Sequence, residues 1–165
     1  MMEKSFKKYL AEFVGTFALV FAGTGAIVVN SQTGVLGNLG IALVFGFIVA
    51  VMIYAIGHIS GAHINPAVTI ALWIGKKFDK KQVFPYIISQ LLGATFASLL
   101  VLRIIGGDSF VGVTLPENGN FMQSFYLEIV LTFFLMFVII GSSTDKMAYK
   151  QFAGWAIGTT VGLDA

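Results

Sequence analysis

Residues 57–71 read GHISGAHINPAVTIA, and how this stretch meets a membrane decides the fold. It interrupts apolar sequence with two glycines, two histidines and an Asn-Pro pair. Asn is a favoured helix N-cap, and Pro at the first helical position gives up no hydrogen bond that the helix needs. Asn65 and Pro66 therefore predict a helix start in the middle of the run. The residues before them, 58–65 (HISGAHIN), are poor helix formers. The stretch predicts an open segment over 58–65, lining a wet path, followed by a short half-helix over 66–75.

The rest of the chain supplies the membrane. Of its 165 residues, 57% are hydrophobic and 11% charged, with a mean hydropathy of +0.88. Those values lie outside the soluble globular range. Apolar runs at about 11–30, 39–57, 83–105, 121–141 and 152 onward each approach the roughly 20 residues of a crossing helix. The first run follows Lys4, Lys7 and Lys8 as a secretory signal would. It has no small-x-small cleavage site and further spans follow it, so it reads as a retained first helix. The net charge of +2 gives no reason to invoke nucleic acid. With no Cys, disulfides, thiol nucleophiles and Cys-based metal sites are excluded.

Lysine placement chooses between a crossing and a dip at 58–75. Lys4, Lys7 and Lys8 precede the first span, Lys76, Lys77, Lys80 and Lys81 precede the third, and Lys146 and Lys150 lie between the fourth and fifth. A full crossing at 58–75 would put Lys76 to Lys81 on the side opposite the N-terminus. A re-entrant dip puts nine of the ten basic residues, all but Arg103, on one face, the cytoplasmic one by the positive-inside tendency. The re-entrant arrangement is the expectation, with the N-terminus cytoplasmic.

The chain also repeats. AEFVGTFALVF (11–21) and LEIVLTFFLMF (127–137) share six of eleven residues at an offset of 116, among them Glu12/Glu128 and Thr16/Thr132. The same offset pairs Ala42 with Gly158 and Gly46 with Gly162. These lie in the small-residue stripes Ala42-xxx-Gly46-xxx-Ala50 and Gly154-xxx-Gly158-xxx-Gly162, a pattern that lets membrane helices approach closely. Three crossings separate the two copies, so they are expected to be inverted, with a permeation site near the midplane between them. The expected organisation is a single transmembrane domain over 1–165, with a first repeat at about 9–105 and the start of a second at about 121–165. The offset places a second half-helix near 181, beyond Ala165.

GHISGAHINPAVTIA resembles the first signature of the aquaporin, or major intrinsic protein, family, and AEFVGTFALVF resembles its first helix. The resemblance runs from about residue 9 through the chain. It implies an all-α membrane protein, an inverted-repeat bundle of tilted helices with re-entrant Asn-Pro-Ala half-helices. It further implies conduction of water or small neutral solutes such as glycerol, in homotetramers with one pore per subunit in a cell membrane. The second signature, its arginine and the sixth helix have no counterpart here, so the sequence is expected to be partial or truncated within the fifth crossing.

Candidate pore residues follow. Asn65, with Pro66 and Ala67, is expected to cap the half-helix through its carboxamide oxygen and to turn its NH2 toward the cavity. A donor at the positive end of a helix dipole orients water oxygen-first and disfavours cations, the general account of aquaporin-type selectivity. Gly57, Gly61 and Ala62 keep the backbone compact, so that carbonyls can form a ladder of acceptors. Imidazoles can serve as metal ligands, proton relays or structural donors. With no companion ligand at metal spacing, His63 is expected to pack with its ring bonded to loop backbone, and His58 to sit near the cytoplasmic mouth, where pH gating is an alternative. Glu12 and Glu128 are ionisable groups within spans, which raises proton or ion coupling. Their equivalence in the repeat, and the resemblance, favour carboxylates that hold re-entrant backbone. The resemblance also places Phe45 at the helix-two filter position of water-selective members, with Ala165 as a candidate companion.

The leading function is a passive channel for water and small neutral solutes. A secondary transporter would need a charged cluster at the unwound segment, which offers carboxamide, imidazole and backbone. An enzyme would need more than Ser60, His58 and His63, which have no neighbouring carboxylate or nucleophile elbow. A non-conducting fragment is the remaining alternative. No metal or cofactor is expected.

Overall fold

A computed structural model describes residues 2–106, 112–113, 115–116, 119–144 and 149–165. Lys146 lies outside the described residues. The elements are α1 (Met2–Thr33), α2 (Gly37–Ser60), α3 (Pro66–Ile74), α4 (Lys80–Ile104), α5 (Phe121–Ile139) and α6 (Ala153–Asp164). A π-helical turn, Ile140–Thr144, prolongs α5, and a 3-10 turn, Lys150–Phe152, leads into α6. No strand occurs among the described residues. Four helical stretches are long and apolar enough to cross a bilayer: Ser5–Thr33, Gly37–Ser60, Lys80–Ile104 and Phe121–Thr144.

Two contacts fix the topology. The Tyr9 hydroxyl donates to Gln82 Oε1 at 2.9 Å, and Gln32 Nε2 donates to the Ile105 carbonyl at 3.5 Å. The starts of α1 and α4 thus share one end of the bundle and their finishes share the other. Both helices cross in the same direction. Because α2 returns to the first end before α4 leaves it, residues 61–79 must enter and exit on a single face. The nine residues of α3 rise only about 14 Å, half the hydrocarbon thickness. The dip expected from the lysines is the observed structure.

Residue size sets the helix crossings. A Cβ on Gly93 of α4 would collide with the Phe13 carbonyl oxygen of α1. The two stripes meet each other: Ala42 lies against Gly162, Ala50 against Gly158, and Tyr54 against Gly154, its hydroxyl donating to the Gln151 carbonyl at 3.0 Å. This order is antiparallel, so α6 starts where α2 finishes. α5 therefore runs opposite to α1, and α6 opposite to α2, as an inverted repeat requires. On α5, Phe133 and Phe137 stay 61% and 67% exposed, an apolar face that a bilayer would cover.

One expected boundary changes. His58, Ile59 and Ser60 continue α2, so the open segment is 61–65 and not 58–65. Helix persists because the Gly61 N–H still reaches the Gly57 carbonyl at 2.9 Å. Only at Gly61, with φ of 92°, does the chain turn left-handed, a conformation glycine adopts without steric penalty.

Candidate functional site

Segment 61–65 lies between the end of α2 and the start of α3, and the backbone donors of 61–64 all have protein partners, that of Gly61 being the Gly57 carbonyl. The Ala62 N–H donates to Ser60 Oγ at 3.0 Å, the His63 N–H to Glu12 Oε1 at 3.0 Å, and the Ile64 N–H to Glu12 Oε2 at 2.8 Å. Glu12 is fully buried. Ala62 and Ile64 hold φ of 48° and 42°, left-handed conformations that cost of order 1–3 kcal/mol each. The carboxylate offsets that strain with two charge-assisted hydrogen bonds. Gln90 Nε2 adds a third at 2.7 Å, and the Tyr86 hydroxyl holds the end of α2 by donating to the Ser60 carbonyl at 2.8 Å.

The acceptors are sorted the other way. The carbonyls of Gly61, Ala62, His63 and Ile64 take no hydrogen bond from a described residue. All four residues line a cavity of about 990 Å³. Asn65 also lines it and caps α3, its Oδ1 accepting from the Ala67 N–H at 2.8 Å. That bond turns the NH2 away from the helix, and Nδ2 has no protein partner among the described residues. Pro66 occupies the first turn of α3, and neither it nor Ala67 lines the cavity. The wall thus combines unpartnered carbonyls with one amide donor at the positive end of a short helix.

The remaining candidates spread along the same cavity. His58 is exposed and lines one end with Lys77, Lys150 and Thr144; Phe45, Glu128, Asp164 and Ala165 line it further along. The Phe45 ring lies where a Cβ on Gly23 would clash. Glu128 is exposed and makes no hydrogen bond among the described residues, unlike its repeat partner Glu12. The His63 ring bonds a side chain, not loop backbone as expected: Nδ1 is 3.1 Å from Thr69 Oγ1. Phe78 and Tyr86 pack on that ring at centroid distances of 4.5 and 5.1 Å. The loop amides were already taken by Glu12, which leaves the first turn of α3 as the nearest polar partner.

A buried carboxylate bracing an Asn-Pro half-helix, inside an inverted bundle joined through glycine stripes, is a specific combination, and a sequence profile described as Major intrinsic protein matches residues 1–165. The chain belongs to the major intrinsic protein family. This family member is 52% identical to Aquaporin NIP3-1 of Arabidopsis thaliana, over 96% of this chain and 51% of that protein. It is 47% identical to Aquaporin AqpM of Methanothermobacter marburgensis, over 94% of this chain and 72% of that protein. The X-ray structure of the aquaglyceroporin from Plasmodium falciparum superposes with a TM-score of 0.75 at 28% identity, covering 97% of this chain and 69% of that one. The chain spans about half the length of the first of these relatives.

Three residues of this major intrinsic protein escaped the reading of its sequence. Gln90, Thr69 and Tyr86 are each fully buried and each contact the loop, Glu12 or His63. Gln90 carried a usable signal, a carboxamide inside an otherwise apolar span, which in a membrane needs a partner as a charge does. Thr69 and Tyr86 carried none, because both residue types are ordinary in apolar helices.

Proposed function

We propose that this chain builds a passive transmembrane path for water and small neutral solutes such as glycerol. The observation that carries the reading is the sorting of polar groups in the open segment: the amide hydrogens of 62–64 are taken by Ser60 and Glu12, while the carbonyls of 61–64, on residues that line the cavity, take no hydrogen bond from a described residue. Such a wall replaces the hydrogen bonds of a passing water or hydroxyl, while the Asn65 donor and the positive end of α3 disfavour a cation. Asn65 is the central donor, with Gly61, Ala62 and His63 alongside it. Pro66 and Ala67 start the half-helix behind it, and Phe45 narrows the path. Glu12 braces the loop, Glu128, exposed here, is its repeat counterpart and the candidate for the equivalent brace, and His58 stands at the mouth. The family membership and the names of the relatives, aquaporins and an aquaglyceroporin, support the same reading. We place the N-terminus in the cytoplasm, the protein in a cell membrane as a homotetramer, and the two repeats at about 9–105 and 121–165.

The test is stopped-flow light scattering of proteoliposomes containing this chain, first with sucrose and then with glycerol as osmolyte. Water permeability well above that of empty liposomes is expected, with re-swelling in glycerol if the path admits polyols. Permeability equal to empty liposomes overturns the proposal for this chain.

A further inference from the structure

The polar network behind the loop has one arrangement of hydrogens that uses every contact. Thr69 Oγ1 lies 3.1 Å from His63 Nδ1, 3.1 Å from the Asn65 carbonyl oxygen and 3.0 Å from Gln90 Nε2. Glu12, His63, Thr69 and Gln90 are all buried. A hydroxyl has one hydrogen and two lone pairs to distribute. Glu12 sets the Gln90 amide, because each carboxylate oxygen already receives a backbone N–H and the group 2.7 Å from Oε2 must also donate. The second hydrogen of Nε2 then falls on Thr69 Oγ1. The Asn65 carbonyl can only accept, so the Thr69 hydrogen points to it, the usual back-bond of a helical Thr to the residue four before it. The lone pair that remains faces His63 Nδ1, which completes a bond only if it carries the imidazole hydrogen. With the hydrogen on Nε2 instead, the hydroxyl hydrogen would turn to Nδ1, and Thr69 Oγ1 would face the Asn65 carbonyl oxygen, which already takes the Thr69 N–H, at 3.1 Å with no hydrogen between the two oxygens.

We infer that Glu12, Gln90 and Thr69 fix His63 with its proton on Nδ1, so that the Nε2 lone pair faces the cavity as an acceptor for the O–H of water or a polyol. His63 lines the cavity. Nε2 has no protein partner among the described residues and is not sealed away; the buried side-chain atoms without a partner there are Thr16 Oγ1 and Gln90 Oε1. The ring lies against Gly61, where a Cβ would come within 3.3 Å of Nε2. The lone pair therefore joins the carbonyls of 61–64 and faces the same space as the Asn65 donor two residues on. Gln90 and Thr69 are positioning residues, since they act on the solute only through the imidazole. The identity of the donor rests on the channel reading; the proton's position does not.

Solid-state NMR of the 15N-histidine-labelled chain in lipid bilayers at neutral pH tests this directly. The chain has two histidines, and His58→Gln leaves a single imidazole for assignment. A protonated, pyrrole-type Nδ1 and an unprotonated, pyridine-type Nε2 are expected for His63, with magnetisation transfer from mobile water reaching Nε2. Thr69→Val removes the oxygen and keeps the shape, and the proton is expected to move to Nε2 in the major form. A proton on Nε2 or on both nitrogens of the unsubstituted chain overturns the inference, as does an Nε2 that water does not reach. An Nδ1 proton unmoved in Thr69→Val removes Thr69 from its role. Because no signal depends on flux, a negative permeability result with this tautomer present would count against the channel reading alone.

Discussion

Gly46 and Gly158 touch backbone to backbone: a Cβ on Gly158 would lie 2.5 Å from the Gly46 carbonyl oxygen, and one on Gly46 2.8 Å from that of Gly158. The contact joins α2 to α6 and so joins the two sequence copies. Rigid carbonyls stand opposite on both sides, so no rotamer change can make room. Gly158→Val is expected to destabilise the folded chain by about 1–3 kcal/mol, the usual range for overpacking. Thermal unfolding in detergent, followed by circular dichroism, measures it. Wild-type stability in that variant would mean the helices are not held at this crossing.

Glu12 carries the loop, so its loss should unfold the site before it unfolds the bundle. In Glu12→Gln one acceptor oxygen is replaced by an NH2 that faces a donor. At least one of the His63 and Ile64 N–H groups, now bonded at 3.0 and 2.8 Å, is left without a partner. Each orphaned buried donor costs about 1–3 kcal/mol. Loss of water flux with most helix content retained is the expected outcome, read by stopped flow and circular dichroism on the same sample.

Asn65→Asp separates capping from charge. Asp is as good an N-cap as Asn, so α3 is expected to persist, while the NH2 donor is exchanged for a negative oxygen at the positive end of the helix. Cations should then enter more readily. A barrier lowered by ~1.4 kcal/mol gives a tenfold faster proton or sodium leak, measurable with a pH-sensitive dye trapped in liposomes. No change in leak would remove Asn65 from cation exclusion.

Phe45→Ala tests the narrowing. Its ring lies over Gly23 and lines the cavity, and its removal opens space without adding charge. Glycerol re-swelling is expected to accelerate by about tenfold, again ~1.4 kcal/mol of barrier, with water flux changed less. Unchanged glycerol uptake would place the constriction elsewhere.

The crossings, the dip and the helix stripes were readable from the residues because each depends on local composition and on the bilayer. A run of apolar residues needs only lipid on its other side, lysines choose a face whatever their partners, and Asn65 caps a helix that begins at the next residue. The stripes Ala42-xxx-Gly46-xxx-Ala50 and Gly154-xxx-Gly158-xxx-Gly162 were legible as close-approach faces from size alone, but that they pack on each other was decided by the fold. The extent of α2 was misread because His58 to Ser60 have weak helix propensity, and a weak preference yields to one more backbone bond, from Gly61 to Gly57.

The sequence by itself determined that this protein crosses a membrane several times, dips back ahead of an Asn-Pro half-helix, and repeats in inverted form. Only the tertiary structure decided what makes the dip stable and what faces its opening. Glu12 meets the His63 amide across 51 residues of sequence and Gln90 across 78, and the parallel packing of α1 on α4 is what brings them together. At membrane depth a backbone N–H without water must find such a partner. Once those donors are consumed on one side of the loop, its carbonyls are left on the other.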